Sequence, residues 1–300
     1  MKILVTGAHG QVGWELTRRG KNRGFAVEAT DVEVFDITDA RAVEEQVCVP
    51  ELALVINCAA YTAVDRAESE PELALAVNRN GPACLAAACG KARIPLIHIS
   101  TDYVFDGAKA GPYRETDPVA PLGVYGRSKA EGEREVRTRL PEHIILRTSW
   151  IYGIHGHNFV KTMLRLGQER QVLRVVDDQQ GCPTNAADLA EVILAIAGKC
   201  DRKPWGTYHY SGKGVTTWHG FAEAIFTEAR KYTSLVAERV EPIPSAEYPT
   251  PAKRPANSVL DCSLFTSTFG IEPRPWRESL AEVVHGLFSQ GQDGEGEGTG

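Results

Sequence analysis

Short apolar runs alternate with segments of helical period through the first half of the chain. Ile3 to Thr6, Ala26 to Thr30, Leu54 to Cys58, Leu96 to Ser100 and His143 to Arg147 are each of strand length. Val12 to Arg19 and Asp39 to Val47 lie between them as helical segments, and Glu72 to Gly90, with Ala and Leu at helical spacing and a closing glycine, reads as one crossover helix. This alternation predicts an α/β fold, a doubly wound parallel sheet with helices on both faces.

After about Trp150 the pattern loosens. Asn158 to Gln168 and Thr217 to Tyr232 are shorter helical stretches broken by Gly, Pro and aromatic residues. Pro242 to Pro255 holds five prolines and little periodicity, which predicts an ordered loop crossing the surface or a cleft. The stretch from Gly291 to Gly300 has nothing apolar to bury and is expected to be disordered.

Composition narrows the function classes. A chain of 300 residues, 43% hydrophobic and 24% charged, is long enough for one large domain or a large and a small one. The net charge of -6 without clustered Lys and Arg argues against a nucleic-acid partner. Met1 to Gly7 lacks a signal-peptide core and no stretch could span a bilayer, so no membrane partner is expected. Seven scattered cysteines without a C-x-x-C pair read as reduced thiols of a cytoplasmic protein. The histidines show no metal-ligand spacing, and no metal site is expected from them.

Gly7-Ala8-His9-Gly10-Gln11-Val12-Gly13 follows the first apolar run and opens the first helix. Glycines there let backbone approach a pyrophosphate, and the helix N-terminus offers free N–H groups and a favourable dipole. Thr30-Asp31 ends the second run roughly 20 residues on, where the adenosine ribose of a dinucleotide would lie; an acid there favours NADH by repelling a 2′-phosphate. Asp31 also fits a strand-ending turn residue. The fold expected is thus Rossmann-like: a dinucleotide-binding domain over 1–150, a smaller, mainly substrate-binding C-terminal domain with interleaved sheet elements over 151–290, and a tail over 291–300.

Tyr125 and Lys129 stand four residues apart, on one face of a helix, an arrangement that also fits a merely solvated helical face. Carbonyl reduction needs a proton donor at oxygen while hydride reaches carbon, and a free tyrosine with a pKa of about 10 gives its proton reluctantly. A lysine beside it is expected to lower that pKa and to reach the nicotinamide ribose. Ser100-Thr101-Asp102 closes the fourth run on the carboxyl edge of the sheet, where ligands bind and a hydroxyl could hold the substrate carbonyl.

The G-x-x-G-x-x-G spacing and Asn57-Cys58-Ala59-Ala60-Tyr61-Thr62 resemble the extended short-chain dehydrogenase/reductase superfamily. Gln11 to Leu16, Thr62 to Glu68, Ser100 to Gly107, Arg147-Thr148-Ser149-Trp150, Asn158-Phe159 and Pro249 to Ser258 resemble the dTDP-4-dehydrorhamnose reductase family, a match that runs through all but about the last ten residues. The resemblance implies reduction of the C4 keto group of dTDP-4-dehydro-L-rhamnose to dTDP-L-rhamnose with NADPH or NADH. It makes Tyr125 the general acid, Lys129 its electrostatic partner and Thr101 the third member, although Ser100 adjoins it and most related enzymes use serine. It places the cofactor on Gly7, Gly10, Gln11, Val12, Gly13, Asp31, Asp36, Ile37, Ala60, Tyr61, Thr62, Tyr125 and Lys129. Asp36 reads equally as an N-cap of the following helix. Thr101, Asp102 and Trp150 would meet the sugar, and Arg254 and Asn257 would lie near the nucleotide; Trp150 fits core packing as well.

Members of that family can form homodimers bridged by a divalent metal such as Mg2+. Glu15 matches one ligand position, but the others fall near Ala187 and His285, so such a site is not expected and Glu15 reads as a residue of an exposed helix face. Two other readings stay open. One is a sugar-nucleotide epimerase or dehydratase, although a dehydratase would show an Asp-Glu pair after the hydroxyl, where this chain has Asp102-Tyr103. The other is a non-catalytic, cofactor-binding regulatory subunit.

Overall fold

In the computed structural model, which describes residues 1–200 and 204–292, the five apolar runs form β1 (Lys2–Thr6), β2 (Ala26–Thr30), β3 (Leu52–Asn57), β4 (Leu96–Thr101) and β5 (His143–Thr148). The helices among them are α1 (Gln11–Asn22), α2 (Ala40–Val47), α3 (Val64–Ala67), α4 (Pro71–Leu75), α5 (Gly81–Ala92) and α6 (Val124–Arg139). Next come β6 (Ile151–Tyr152), α7 (Phe159–Glu169), β7 (Val172–Val176), β8 (Gln180–Gly181), β9 (Thr184–Asn185), α8 (Ala186–Ala197) and β10 (Gly206–His209). The chain closes with β11 (Thr216–Thr217), α9 (Trp218–Ala229), β12 (Arg239–Ile243), α10 (Ser263–Phe269) and α11 (Trp276–Gln292).

Six strands make one parallel sheet in the order β10-β5-β4-β3-β1-β2. The chain steps from β1 to one side and then returns to the other, so the crevice between β1 and β3 is a switch point at the carboxyl edge. Alternating side chains serve two cores. Ile3, Val5, Leu54, Ile56 and Ile97 pack on one face with Leu16 of α1 and Leu189 and Ile193 of α8, whereas Leu4, Val55, Leu96 and Ile145 face Val43, Leu85 and Val136 of α2, α5 and α6. A smaller core gathers Tyr152, Val160, Leu173, Phe221, Ile225, Trp276 and Val284 around α7, α9 and α11.

Three expectations are corrected. The segment 72–90 is not one regular helix: α4 passes through a π-helical turn, Ala76–Asn80, into α5, which runs past Gly90 and ends where Arg93 takes the left-handed conformation (φ 57°). Pro242 lies inside β12, which among the described residues pairs with β7 alone; the strand has a free edge, where the missing N–H of proline costs no ladder bond. Helix α11 runs on through Gly291 and Gln292, and the remainder of the tail, 293–300, lies outside the described residues.

Candidate active site

The glycine turn is built to be close to something. Gly7 has φ +69°, and a Cβ there would lie 2.6 Å from Ala59 N; one on Gly13 would lie 2.1 Å from Gly7 O. Only glycine fits, and the result is a tight β1–α1 turn whose helix starts at Gly10 with no side chain capping its N–H groups. Those donors fit a pyrophosphate. Asp31 sits beside the turn, accepting the His9 N–H at 2.7 Å and the Val32 N–H at 2.8 Å. Gly7, Gly10, Gln11, Val12, Gly13, Ala60 and Thr62 line one cleft of about 610 Å³.

Four expected cofactor residues stand outside that lining: Asp31, beside the turn, and Asp36, Ile37 and Tyr61. Asp36 is exposed and its carboxylate accepts the Thr38 N–H; Asp39, not Asp36, caps α2, accepting the Arg41 and Ala42 N–H groups. Ile37 is buried in the core against α5. Tyr61 donates its hydroxyl to Glu70, and its backbone is gripped by Asn78, whose Oδ1 accepts from Tyr61 N (2.8 Å) while Nδ2 donates to Tyr61 O (3.0 Å) and Ser128 Oγ (3.0 Å). Asn78 is fully buried in the π turn. Nothing in the local pattern marked it, because a lone Asn in an Ala-rich helix looks like surface.

At the far end of the same cleft stand Thr101, Asp102, Tyr125, Lys129, Trp150 and Trp218. Tyr125 and Lys129 lie one turn apart on α6, and the Lys129 ammonium donates to Ile99 O at 2.7 Å. Burial pushes the Tyr125 phenol up to about 12, the Thr101 hydroxyl lowering it and the Asp102 charge adding to the rise. That reverses the expected direction: desolvation dominates, and the lowering comes from the Thr101 hydroxyl rather than from the lysine. Burial also draws the Lys129 ammonium down to about 8, against the Glu133 charge that raises it.

The two hydroxyls at the end of β4 part company. Ser100 Oγ donates to Glu133 at 2.6 Å, while Thr101 Oγ1 donates to Asp102 Oδ1 at 2.9 Å and stands by Tyr125. Asp102 is 1% exposed, and burial lifts its carboxyl to about 6. Its Oδ2 has no hydrogen-bond partner, the nearby Ser258 hydroxyl donating to Gln180 O instead; Thr148 Oγ1, also in the cleft, is likewise unpartnered. Buried polar atoms left open in a cleft are suited to a ligand that brings hydroxyls.

Trp150 has φ +46°, a strained position for a bulky residue, and its ring stacks on Trp218 at 3.6 Å between centroids, with Phe159 behind Trp218. Trp218 had no signal beyond its place at a helix start, where an aromatic usually means core. Arg254 and Asn257 do not line the cleft. Arg254 is bound to Asp65 (2.8 and 3.2 Å), docking the Pro-rich loop on α3, and the Asn257 amide donates to Lys109 O and Gly111 O. Asn257 therefore clamps the loop.

Glu15 is 4% exposed, not on an open helix face, and its carboxylate accepts from Arg18 (3.0 Å) and Arg19 (2.7 Å). Asp188 accepts from Arg274 and Ser279, and Glu191 pairs with Arg19 and Arg23. Guanidinium groups already neutralise the carboxylates a bridging cation would need, so these residues do not fit one. Among the described residues only His9, Asp31 and Glu33 bring three potential ligand atoms together, beside the glycine turn. No helix among the described residues is long and apolar enough to cross a membrane.

Comparison with known proteins agrees with this geometry. The family model described as RmlD substrate binding domain matches residues 1–288. The dTDP-4-dehydrorhamnose reductase of Aggregatibacter actinomycetemcomitans is 45% identical over 287 residues, covering 94% of this chain and 98% of the relative. A crystal structure of a dTDP-4-dehydrorhamnose reductase from Clostridium acetobutylicum superposes with a TM-score of 0.90 at 43% identity, over 96% of this chain and 99% of that one. One from Bacillus anthracis, solved in complex with NADP, gives 0.88 at 36% identity, over 95% and 99%. With the glycine cradle and the Thr101–Tyr125–Lys129 cluster on one switch-point cleft, and matches running almost end to end, the chain belongs to the dTDP-4-dehydrorhamnose reductase family.

Proposed function

We propose that this protein reduces the C4 keto group of dTDP-4-dehydro-L-rhamnose to give dTDP-L-rhamnose, using NADPH or NADH. The observation that carries the reading is the cluster of buried Thr101 and Lys129 with half-buried Tyr125 at the inner end of the glycine-lined cleft. When bound, the nicotinamide supplies hydride. The chain's residues do the rest. Tyr125, kept neutral by burial, is in the form that donates a proton, and the alkoxide forming at C4 is a stronger base than a phenolate. Lys129 spends one of its three N–H donors on Ile99 O, leaving two for the cofactor ribose and the developing phenolate. Thr101 orients the carbonyl, Asp102 and Thr148 meet sugar hydroxyls, and the Trp150–Trp218 pair offers the apolar ring face a wall. Arg254, held by Asp65 next to the cleft-lining Val64, is the residue we assign to the nucleotide although it does not itself line the cleft. The seven scattered cysteines, read as reduced thiols, support a cytoplasmic setting.

The test is oxidation of NADH or NADPH at 340 nm with the keto sugar generated in place by a dehydratase and an epimerase. Tyr125→Phe is expected to lower kcat by roughly 10²–10⁴-fold with the sheet intact. No oxidation of either cofactor by the unaltered protein would overturn the reading.

A further inference from the structure

Beneath the cleft lies a charged cluster that the reaction as described does not use. Glu133 sits on α6 one turn beyond Lys129 and two beyond Tyr125, and is 0% exposed. Arg147 of β5, 2% exposed, grips it with two bonds: Nε donates to Oε1 at 2.8 Å and Nη2 to Oε2 at 2.7 Å. Arg137 donates to Oε2 at 3.0 Å, and Ser100 of β4 donates its hydroxyl to Oε1 at 2.6 Å. Behind Arg147, His209 of β10 receives Nη1 at 3.3 Å on Nε2 and, as the neutral tautomer with hydrogen on Nδ1, donates to Tyr113 O at 3.0 Å. Burial and the Arg147 charge hold that imidazole neutral. The groups facing Lys129 are Glu133 on its own helix, Cys58 just after β3 and His98 from β4. Of these Glu133 is the charged one: burial keeps the Cys58 thiol protonated and the His98 ring neutral.

A buried ion pair of this completeness is a poor source of stability, since desolvating two charges offsets most of their attraction. What it does well is fix geometry and local potential. Two adjacent hydroxyls end β4, and only one can work beside Tyr125; the cluster ties up the other. We propose that Glu133 is a positioning residue of the reductase site, drawing the Ser100 hydroxyl into its pair with Arg147 so that Thr101 meets Tyr125, and holding Lys129 in its charged form. The proposal rests on the reductase reading above.

The experiment is the pH profile of kcat/KM for the unaltered protein, Glu133→Gln and Glu133→Asp. Lys129 must be charged to work, so activity falls as pH rises through its titration. Removing the Glu133 charge is expected to move that alkaline limb down by about 0.5–1 pH unit. kcat should fall more than KM for the sugar nucleotide rises, and Glu133→Asp should restore most of the limb. Glu133→Gln alone strands the Arg147 charge, so Glu133→Gln/Arg147→Gln is made beside it; with no buried charge left unpaired and the partly exposed Arg137 open to water, it is expected to fold and to move the limb in the same direction by a smaller amount. A profile that merely scales down, with its limb unmoved in the folded variants, would overturn the proposal. A readout independent of turnover is the pH titration of the Lys129 Cε resonance in ¹³C-lysine-labelled protein, assigned with Lys129→Arg. An inactive parent would sink the reductase reading, and the lysine midpoint, shifted or not by Glu133→Gln, would still decide whether Glu133 acts on Lys129.

Discussion

Asp102 is a carboxylate kept where it is expensive to ionise. Its raised pKa, about 6, means the folded state binds a proton more tightly than the unfolded chain, whose aspartates titrate near ~3.9. Stability is therefore lost as pH rises from about 4 through 6, and the whole penalty is present at pH 7. Asp102→Asn removes the charge and keeps an oxygen for Thr101. It is expected to be more stable than the parent by about 1–3 kcal/mol at pH 7, with the gain shrinking towards pH 4, and to bind the sugar nucleotide less well. Urea unfolding at the two pH values checks this, and equal stability at pH 7 would show that the buried charge carries no cost. The same scale shows which single residues could be read in advance. Tyr125 and Lys129 were legible because a spacing of four on a helix fixes their face. Thr101 and Ser100 were not separable, because both sit at one strand end and the deciding partner, Glu133, is 33 residues away along the chain.

Elements place these side chains, and the π turn is the least ordinary of them. By widening the helix at Ala76–Asn80 it turns Asn78 inward, where one amide joins the strand exit after β3 to Ser128 on α6, three residues from Tyr125. Gly132 makes that approach feasible, since a Cβ there would come within 2.0 Å of Asn78 O. Asn78→Ala breaks the bonds to Tyr61 and Ser128 inside the protein. It is expected to cost about 1–3 kcal/mol in urea unfolding and to lower kcat along with stability. Unchanged stability would mean that the turn does not depend on its amide. The apolar strands were plain in the sequence because a parallel sheet covered on both faces must be apolar nearly throughout. The π turn was hidden, since helical periodicity persists on either side of it and the cause is a tertiary partner.

The cleft needs both bodies of the molecule. The sheet body supplies the glycine turn and the Thr101–Tyr125–Lys129 cluster, whereas Trp218, His157 and Gly156 come from the segments that follow Trp150. Some of that later chain returns to the sheet, β10 as its sixth strand and α8 against α1. Between α1 and α8 the buried Glu15 and the partly exposed Arg19 and Glu191 form a ladder where the resemblance would put a bridging cation. A chelator is accordingly expected to leave both the thermal midpoint and the elution volume in size-exclusion chromatography unchanged. A shift in either on adding EDTA, reversed by Mg2+, would contradict this account of Glu15.

The sequence by itself determined the alternation that makes a parallel doubly wound sheet, the glycine turn and the tyrosine–lysine pair, because each rests on contacts within a few residues and on a period that folding cannot change. The tertiary structure alone decided the rest. It committed Ser100 to Glu133, Asn257 to a loop clamp and Ile37 to the core, and it set the Trp150–Trp218 wall and the direction of the Tyr125 shift. Those outcomes depend on burial and on partners distant along the chain, and desolvation and long-range hydrogen bonds are fixed only once the elements have packed.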